Sequence, residues 1–299
     1  MCGIAGLIDL AGLDRGTVAP RLDRAVARLK ARGPDDNGTW YDDHAALGHT
    51  RLAIVDLSAA GHQPMVQGPL ALVYNGEIYN HAQLRAELES LGETFNGHSD
   101  TEVLIRGWAH WGTEMLPRLN GMFAFALWDS SDGSLTLARD RFGKKPLSYA
   151  LSGSQLALAS DLVALEEVEG TQREVDPDAL RLLFGLRWLP EPWSIAKGVR
   201  HLSPGHVARF DRQGFETRSF VQPETLPAYS VETTAADALR QRFDSAVAAR
   251  MVADVPVGAY LSGGVDSAAV AAAMVRASDQ VATFTVGFAD VPAYYEERP

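Results

Sequence analysis

The only cysteine of the chain stands at position 2, directly after Met1 and before Gly3. Removal of Met1 would leave a terminal residue carrying both a thiol and a free α-amine. An α-amine titrates near ~7.7 and a thiol near ~8.5, so the amine can take the thiol proton at neutral pH without a histidine. Gly3 leaves the backbone beside the sulfur unobstructed. A lone cysteine is more often a small buried hydrophobe; its position here, together with the motifs further along the chain, favours nucleophilic chemistry instead. The run Tyr74-Asn75-Gly76-Glu77-Ile78-Tyr79-Asn80 meets a second need of acyl transfer. Placed where an apolar strand ends and a helix begins, it can aim the Asn75 amide and the Gly76 N–H at one spot, as a tetrahedral oxyanion requires. An Asn-Gly pair alone would mark only a turn. A third run, Leu261-Ser262-Gly263-Gly264-Val265-Asp266-Ser267, falls between a strand pattern and a helix pattern. Its glycines let backbone N–H groups approach a phosphate at the helix N-terminus, although a plain strand-to-helix turn would look similar. The Gly-Lys-Ser/Thr ending of a Walker A loop is missing.

These residues need elements to position them. Strand patterns cover 3–9, 70–74, 122–129, 135–140, 155–160 and 206–211, with Ser131-Asp132-Gly133 and Ser152-Gly153-Ser154 as hairpin turns. Apolar residues recur at helical spacing over 22–29, 84–91 and 103–111. Together they describe a mixed, mainly antiparallel α+β domain. The stretch 222–230, with two prolines and no periodicity, reads as a linker. Beyond it, a helix over 234–251, a strand over 257–261, a helix over 266–276 and a strand over 282–288 open a parallel α/β sheet. Only about 70 residues remain after the linker, short for such a domain, so the expectation is a fragment or a truncated form.

The segments CGIAGLIDL (2–10), RGPDDNG (32–38), HTRLAIVDL (49–57), YNGEIYNH (74–81), HSDTEV (98–103), LNGMFAFALWD (119–129) and ARDRFGKKPL (138–147) resemble the glutaminase domain of asparagine synthetases. The likeness continues through LSPGHVARFD (202–211) and DVPVGAYLSGGVDS (254–267). It implies an α+β N-terminal-nucleophile fold, two antiparallel sheets between helices, over 2–221. After the linker it implies the start of an α/β ATP-pyrophosphatase domain with a parallel sheet over 231–299. Cys2 would attack the side-chain amide of glutamine, and Asn75 with the Gly76 N–H would hold the oxyanion. Arg51 would pair with the substrate α-carboxylate; Glu77 and Asp100 would receive its α-ammonium. A guanidinium fork matches a carboxylate, and carboxylates match an ammonium, whereas Arg51 or Asp100 out of context would read as solvated surface charges. The loop 261–267 would bind ATP, with Val286 and Gly287 near the base. Mg²⁺ is expected with the phosphates, its ligands unassigned. The implied reaction is glutamine-dependent synthesis of asparagine through an ATP-adenylated aspartate, the isolated chain being a glutaminase at most; a homodimer is a common assembly of this family. Ser148 and Ala150 depart from the pattern by standing where aromatics are frequent.

Two rivals stay open: an amidotransferase of the same family with a different carboxylate acceptor, and a non-catalytic glutamine-binding regulatory module. Composition narrows the rest. Net charge is −11, with 46% hydrophobic and 22% charged residues, which describes a soluble globular chain. The acidic balance argues against nucleic acid as a partner. No apolar run reaches the roughly 18 residues of a membrane span, and the first residues lack a secretory pattern, so the cytoplasm is expected. A single thiol rules out an internal disulfide, and the eight histidines have no metal-ligand spacing.

Overall fold

The computed structural model describes residues 1–221 and 232–287. The chain divides into two compact units, Met1–Gln222 and Pro223–Pro299. In the first, the elements run β1 (Gly3–Asp9), α1 (Arg15–Leu29), β2 (Asp36–Tyr41), β3 (Ala45–Arg51), β4 (Met65–Gln67), β5 (Leu70–Ile78), α2 (His81–Ser90) and α3 (Asp100–Trp111). They continue as β6 (Gly121–Asp129), β7 (Ser134–Arg139), β8 (Ser148–Ser152), β9 (Gln155–Ala159), α4 (Leu162–Glu169), α5 (Pro177–Leu186), β10 (Val199–His201), β11 (His206–Asp211) and β12 (Gly214–Ser219). Two six-stranded sheets result, ordered β10-β8-β9-β1-β3-β2 and β12-β11-β7-β6-β5-β4, and every strand pairing within them is antiparallel.

Both sheets are apolar on both faces, which demands a layer on each side. Between them lies a core built from Ile4, Ile8, Leu47, Leu156 and Leu158 of one sheet and Val73, Ala126, Trp128, Leu135 and Leu137 of the other. Outside the first sheet, α1 and α4 cover Ala5, Leu7, Ala46, Ala157 and Ala159. The buried face of α1 carries Val18, Leu22, Ala25, Val26 and Leu29, the i, i+4, i+7 stripe of an amphipathic helix. Asp14 caps this helix by accepting from the Gly16 N–H. Outside the second sheet, α2 and α3 cover Leu72, Tyr74, Phe123, Phe125 and Leu127. Trp108 of α3 stands edge-on to Phe125 with ring centroids 5.6 Å apart.

The structure lengthens one sequence-predicted strand with consequence for the site. The pattern ends the strand at Tyr74, whereas β5 runs on to Ile78, with Asn75, Gly76, Glu77 and Ile78 paired to Ala124, Phe123, Met122 and Gly121. Pairing along β6 overrides the turn tendency of Asn-Gly. Strands β2, β3, β4, β8, β10 and β12 were not visible in the sequence, being short or rich in Gly, Ala, His and Ser; their neighbours in the sheet supply what local propensity lacks.

In the second unit, α6 (Glu232–Ala249) is followed by β13 (Gly258–Tyr260), α7 (Val265–Ala277) and β14 (Ala282–Phe284). Strands β13 and β14 pair in parallel, Gly258 with Ala282 and Tyr260 with Phe284. Val247, Ala273 and Met274 form the buried core. The last strand stops at Phe284 rather than reaching the expected Phe288, which lies outside the described residues, as does the expected linker 222–230.

Candidate active site

The first sheet delivers the thiol. Gly3 of β1 sits opposite Thr50 of β3, so Cys2 comes beside the end of β3. There the Leu52 N–H points to Sγ at 3.4 Å, and Arg32 Nε donates to the Cys2 carbonyl at 3.1 Å. Burial pushes the Cys2 thiol up from its ordinary value, which favours the uncharged thiol over a standing thiolate; the Met1 amine next to it is pushed down, also by burial.

Cys2 lines a cavity of about 150 Å³ together with Arg51, Asn75, Gly76, Glu77 and Asp100. The structure thus brings together every residue that the sequence assigned to glutamine. Arg51, the last residue of β3, is buried, and its guanidinium is held by carbonyls: Nη1 donates to Ser58 O at 2.8 Å and Nη2 to Asp56 O. Asp100 opens α3, where Ser99 caps the helix by accepting from the Glu102 N–H at 3.2 Å. Its Oδ2 accepts from the Tyr74 hydroxyl at 2.7 Å and the Ile78 N–H at 3.0 Å. Burial nevertheless raises the Asp100 carboxyl above the usual range, and it also raises that of Glu77. A bound ammonium would favour the charged form of both.

Asn75 is the unusual member. It is 1% exposed, yet neither Nδ2 nor Oδ1 has a hydrogen-bond partner. A buried polar atom left unpaired costs about 1–3 kcal/mol, so a side chain with two of them is built for something that arrives. Beside it, Gly76 admits no side chain, because a Cβ would lie 2.4 Å from the Met122 carbonyl oxygen.

Sequence reasoning missed Lys145, Gln63, Tyr74 and Thr101, which also line the cavity. Lys145 belongs to the run 138–147; it is 5% exposed, and burial lowers its ammonium from the ordinary value. A lysine next to another lysine carries no signal of burial in one sequence. The departures at Ser148 and Ala150 are both buried in β8, where Ser148 Oγ lies 3.0 Å from His201 Nδ1.

In the second unit, residues 261–267 form the expected loop between β13 and α7, with Gly263 at φ 87°. Ser267 Oγ donates to Gly264 O at 3.0 Å and lies 3.1 Å from Ser262 Oγ. Val286 and Gly287 follow β14, which the Leu261 N–H joins through Phe284 O at 2.9 Å. The segment therefore stands at the same end of the two parallel strands as the loop. Among the described residues, no group of three or more His, Cys, Asp or Glu could hold a metal ion. No helix among them is long and apolar enough to cross a membrane.

Two antiparallel sheets between helix layers, with the second residue entering a polar cavity, define an N-terminal-nucleophile fold. The same fold appears in the glutamine phosphoribosylpyrophosphate amidotransferase of B. subtilis, solved with ADP and GMP, at TM-score 0.54 and 18% identity over 100% of this chain and 69% of that one. Residues 1–221 match the family described as Glutamine amidotransferase domain, and residues 238–299 match the one described as Asparagine synthase. The chain belongs to the glutamine amidotransferase domain family. Among its relatives, a putative glutamine-hydrolysing asparagine synthetase of Mycobacterium tuberculosis (strain ATCC 25618 / H37Rv) is 39% identical over 96% of this chain and 48% of its own. Asparagine synthetase [glutamine-hydrolyzing] 3 of Bacillus subtilis (strain 168) is 37% identical over 91% and 45%. The chain spans about half the length of these curated relatives.

Proposed function

We propose that residues 2–221 hydrolyse glutamine and that residues 231–299 begin the ATP-dependent domain that uses the ammonia to make asparagine. The buried, unpartnered amide of Asn75 beside Cys2 carries this reading. Glutamine enters with its α-carboxylate on Arg51 and its α-ammonium on Glu77 and Asp100. With Met1 removed, the α-amine of Cys2 takes the thiol proton. The sulfur then bonds to the side-chain carbonyl carbon, while Asn75 Nδ2 and the Gly76 N–H receive the oxyanion. The C–N bond breaks, the amine returns the proton to the departing nitrogen, and ammonia leaves behind a thioester. Water then hydrolyses the thioester to glutamate. A mere glutamine-binding module would have no use for a thiol at the end of this cavity.

ATP would bind the 261–267 loop with Val286 and Gly287 nearby, and would adenylate the β-carboxylate of aspartate. Ammonia displaces AMP to give asparagine, with pyrophosphate released earlier. Mg²⁺ would ride on the phosphate oxygens of ATP, which needs no protein cluster of its own. Aspartate as acceptor is supported by the match of 238–299 and the names of the relatives, and another carboxylate would use the same first half. The reading places the protein in the cytoplasm and leaves room for a homodimer.

The test is Cys2→Ala. In the complete protein it should abolish glutamine-dependent synthesis while ammonia-dependent synthesis persists; equal loss of both would contradict the division of labour. From the 299-residue chain alone, glutamate release without asparagine formation is expected. Intact-mass measurement should find Met1 absent from the active material.

A further inference from the structure

We propose that His49 and Gln63 are positioning residues for the oxyanion donors, standing in at Tyr74 for a neighbouring strand that β5 lacks there. The inference rests on the reading of Asn75 and Gly76 as those donors. Among the described residues, β5 is paired on its outer edge only by β4, whose residues Met65, Val66 and Gln67 face Leu72, Ala71 and Leu70. Continuing that register would set Pro64 opposite Val73 and Gln63 opposite Tyr74. The Gln63 backbone is instead turned toward β2, where a Cβ on Gly38 would come 2.4 Å from the Gln63 carbonyl oxygen. From Tyr74 onward no strand among the described residues lies beside this edge, and this is where the cavity begins.

Tyr74 is nonetheless buried, and its backbone groups must be paired. Its N–H donates to Gln63 Oε1 at 2.6 Å, and its carbonyl lies 3.1 Å from His49 Nε2. Gln63 Nε2 in turn donates to Thr101 Oγ1 at 3.3 Å. His49 is fully buried in β3, two residues before Arg51, and burial holds its pKa to about 3. The ring is thus neutral, with its proton on Nε2 facing the carbonyl. The residue immediately before Asn75 is in this way tied to the strand of Arg51 and to the helix of Asp100. A further main-chain strand would run past Asn75 and Glu77 and close the cavity, whereas a side chain reaches one residue and stops. Small displacements of reacting groups cost large factors in rate, so what fixes Tyr74 fixes the oxyanion geometry.

The experiment uses the full chain with Met1 removed, comparing His49→Leu, Gln63→Leu and His49→Gln. Glutamate release gives kcat and KM. A second readout is the rate at which a chloroketone analogue of glutamine alkylates Cys2; there the S–C bond forms as chloride leaves, so the thiol and the pocket are needed far more than the oxyanion donors. Both leucine variants should lose roughly tenfold or more in kcat, as expected for one buried hydrogen bond in a transition state. In His49→Leu, whose position does not line the cavity, KM and the alkylation rate should stay within about twofold of the parent; Gln63 does line it, so in Gln63→Leu the deciding readout is kcat at saturating glutamine. His49→Gln, whose amide N–H reaches about as far as Nε2–H, should recover most of the lost kcat. Leucine variants with the parental kcat would overturn the proposal, as would alkylation falling in step with kcat in His49→Leu. If His49→Leu does not fold, Gln63→Leu and His49→Gln decide alone, and a parental kcat in Gln63→Leu overturns it. A parent chain that releases no glutamate would instead defeat the glutaminase reading, a result visible before any variant is made.

Discussion

Asn75 shows what a single residue can say about a site. A surface asparagine hydrogen-bonds to water; this one is held away from water and given no partner in the fold, so its desolvation is offset only when a ligand arrives. Replacement by alanine removes one of two oxyanion donors and should lower kcat for glutamate release by about 10²–10³, with little change in KM. Steady-state kinetics at saturating glutamine check this, and a KM effect without a kcat effect would reassign Asn75 to binding. His49 yields a prediction on stability. Its pKa is near 6.5 in an unfolded chain and about 3 in the fold, lowered by burial. Between those values the unfolded chain binds a proton that the folded one excludes. The stability that His49 contributes above about pH 6.5 is therefore lost as pH falls toward about 3, by roughly 2 kcal/mol at pH ~5. The difference in urea-derived stability between pH ~7.5 and pH ~5 should shrink by about that amount in His49→Gln, and identical differences would show that the ring titrates normally. Cys2, Asn75 and Gly76 were legible from their chemistry and placement, and Arg51, Glu77 and Asp100 through the roles that the resemblance of their runs implies. His49 and Lys145 lie in runs of the same resemblance, which assigned them no role, and a histidine or lysine by itself reads the same whether buried or exposed.

At the scale of elements, legibility followed how local the cause of each element is. Strand β1 and strand β11 have the bounds that alternation and turn signals give them, because those signals lie within the segment. Helices α4 and α5 went unnoticed although Asp161 and Asp176 cap them and Gly170 ends the first in a left-handed turn, cues that periodicity alone does not reveal. The extension of β5 through Asn75 to Ile78 has a non-local cause, the facing strand β6. Gly76 is where that cause can be tested. A Cβ there would meet the Met122 carbonyl oxygen at 2.4 Å and the Phe123 Cα at 2.9 Å, both backbone atoms of β6 that cannot swing aside. Gly76→Ala should therefore push β5 from β6, lowering stability by about 1–3 kcal/mol and abolishing glutamate release. A urea titration alongside the activity assay separates the two effects; parental stability would mean that the strands part without cost.

For the molecule as a whole, every residue assigned to glutamine lies between positions 2 and 100, and the cavity's remaining wall ends at Lys145. The three cores that hold those residues draw only on positions up to 220. The resemblance made this division readable from the sequence, whereas the convergence of these residues on one cavity required coordinates. The position of a cut should matter sharply. Phe220, just after β12, stacks on Phe123 with centroids 6.3 Å apart, and Phe123 is the cross-strand partner of Gly76. A polypeptide of residues 1–221 keeps that contact and should release glutamate with a kcat within about twofold of the 299-residue chain. One ending at Arg218 loses Ser219, Phe220 and Val221, and should melt earlier by the equivalent of about 0.5–1.5 kcal/mol beyond the lost apolar area. Thermal melts and glutamate release on the two truncations check both statements. Activity in the 299-residue chain but none in a folded 1–221 would show that the second unit supplies part of the glutamine site.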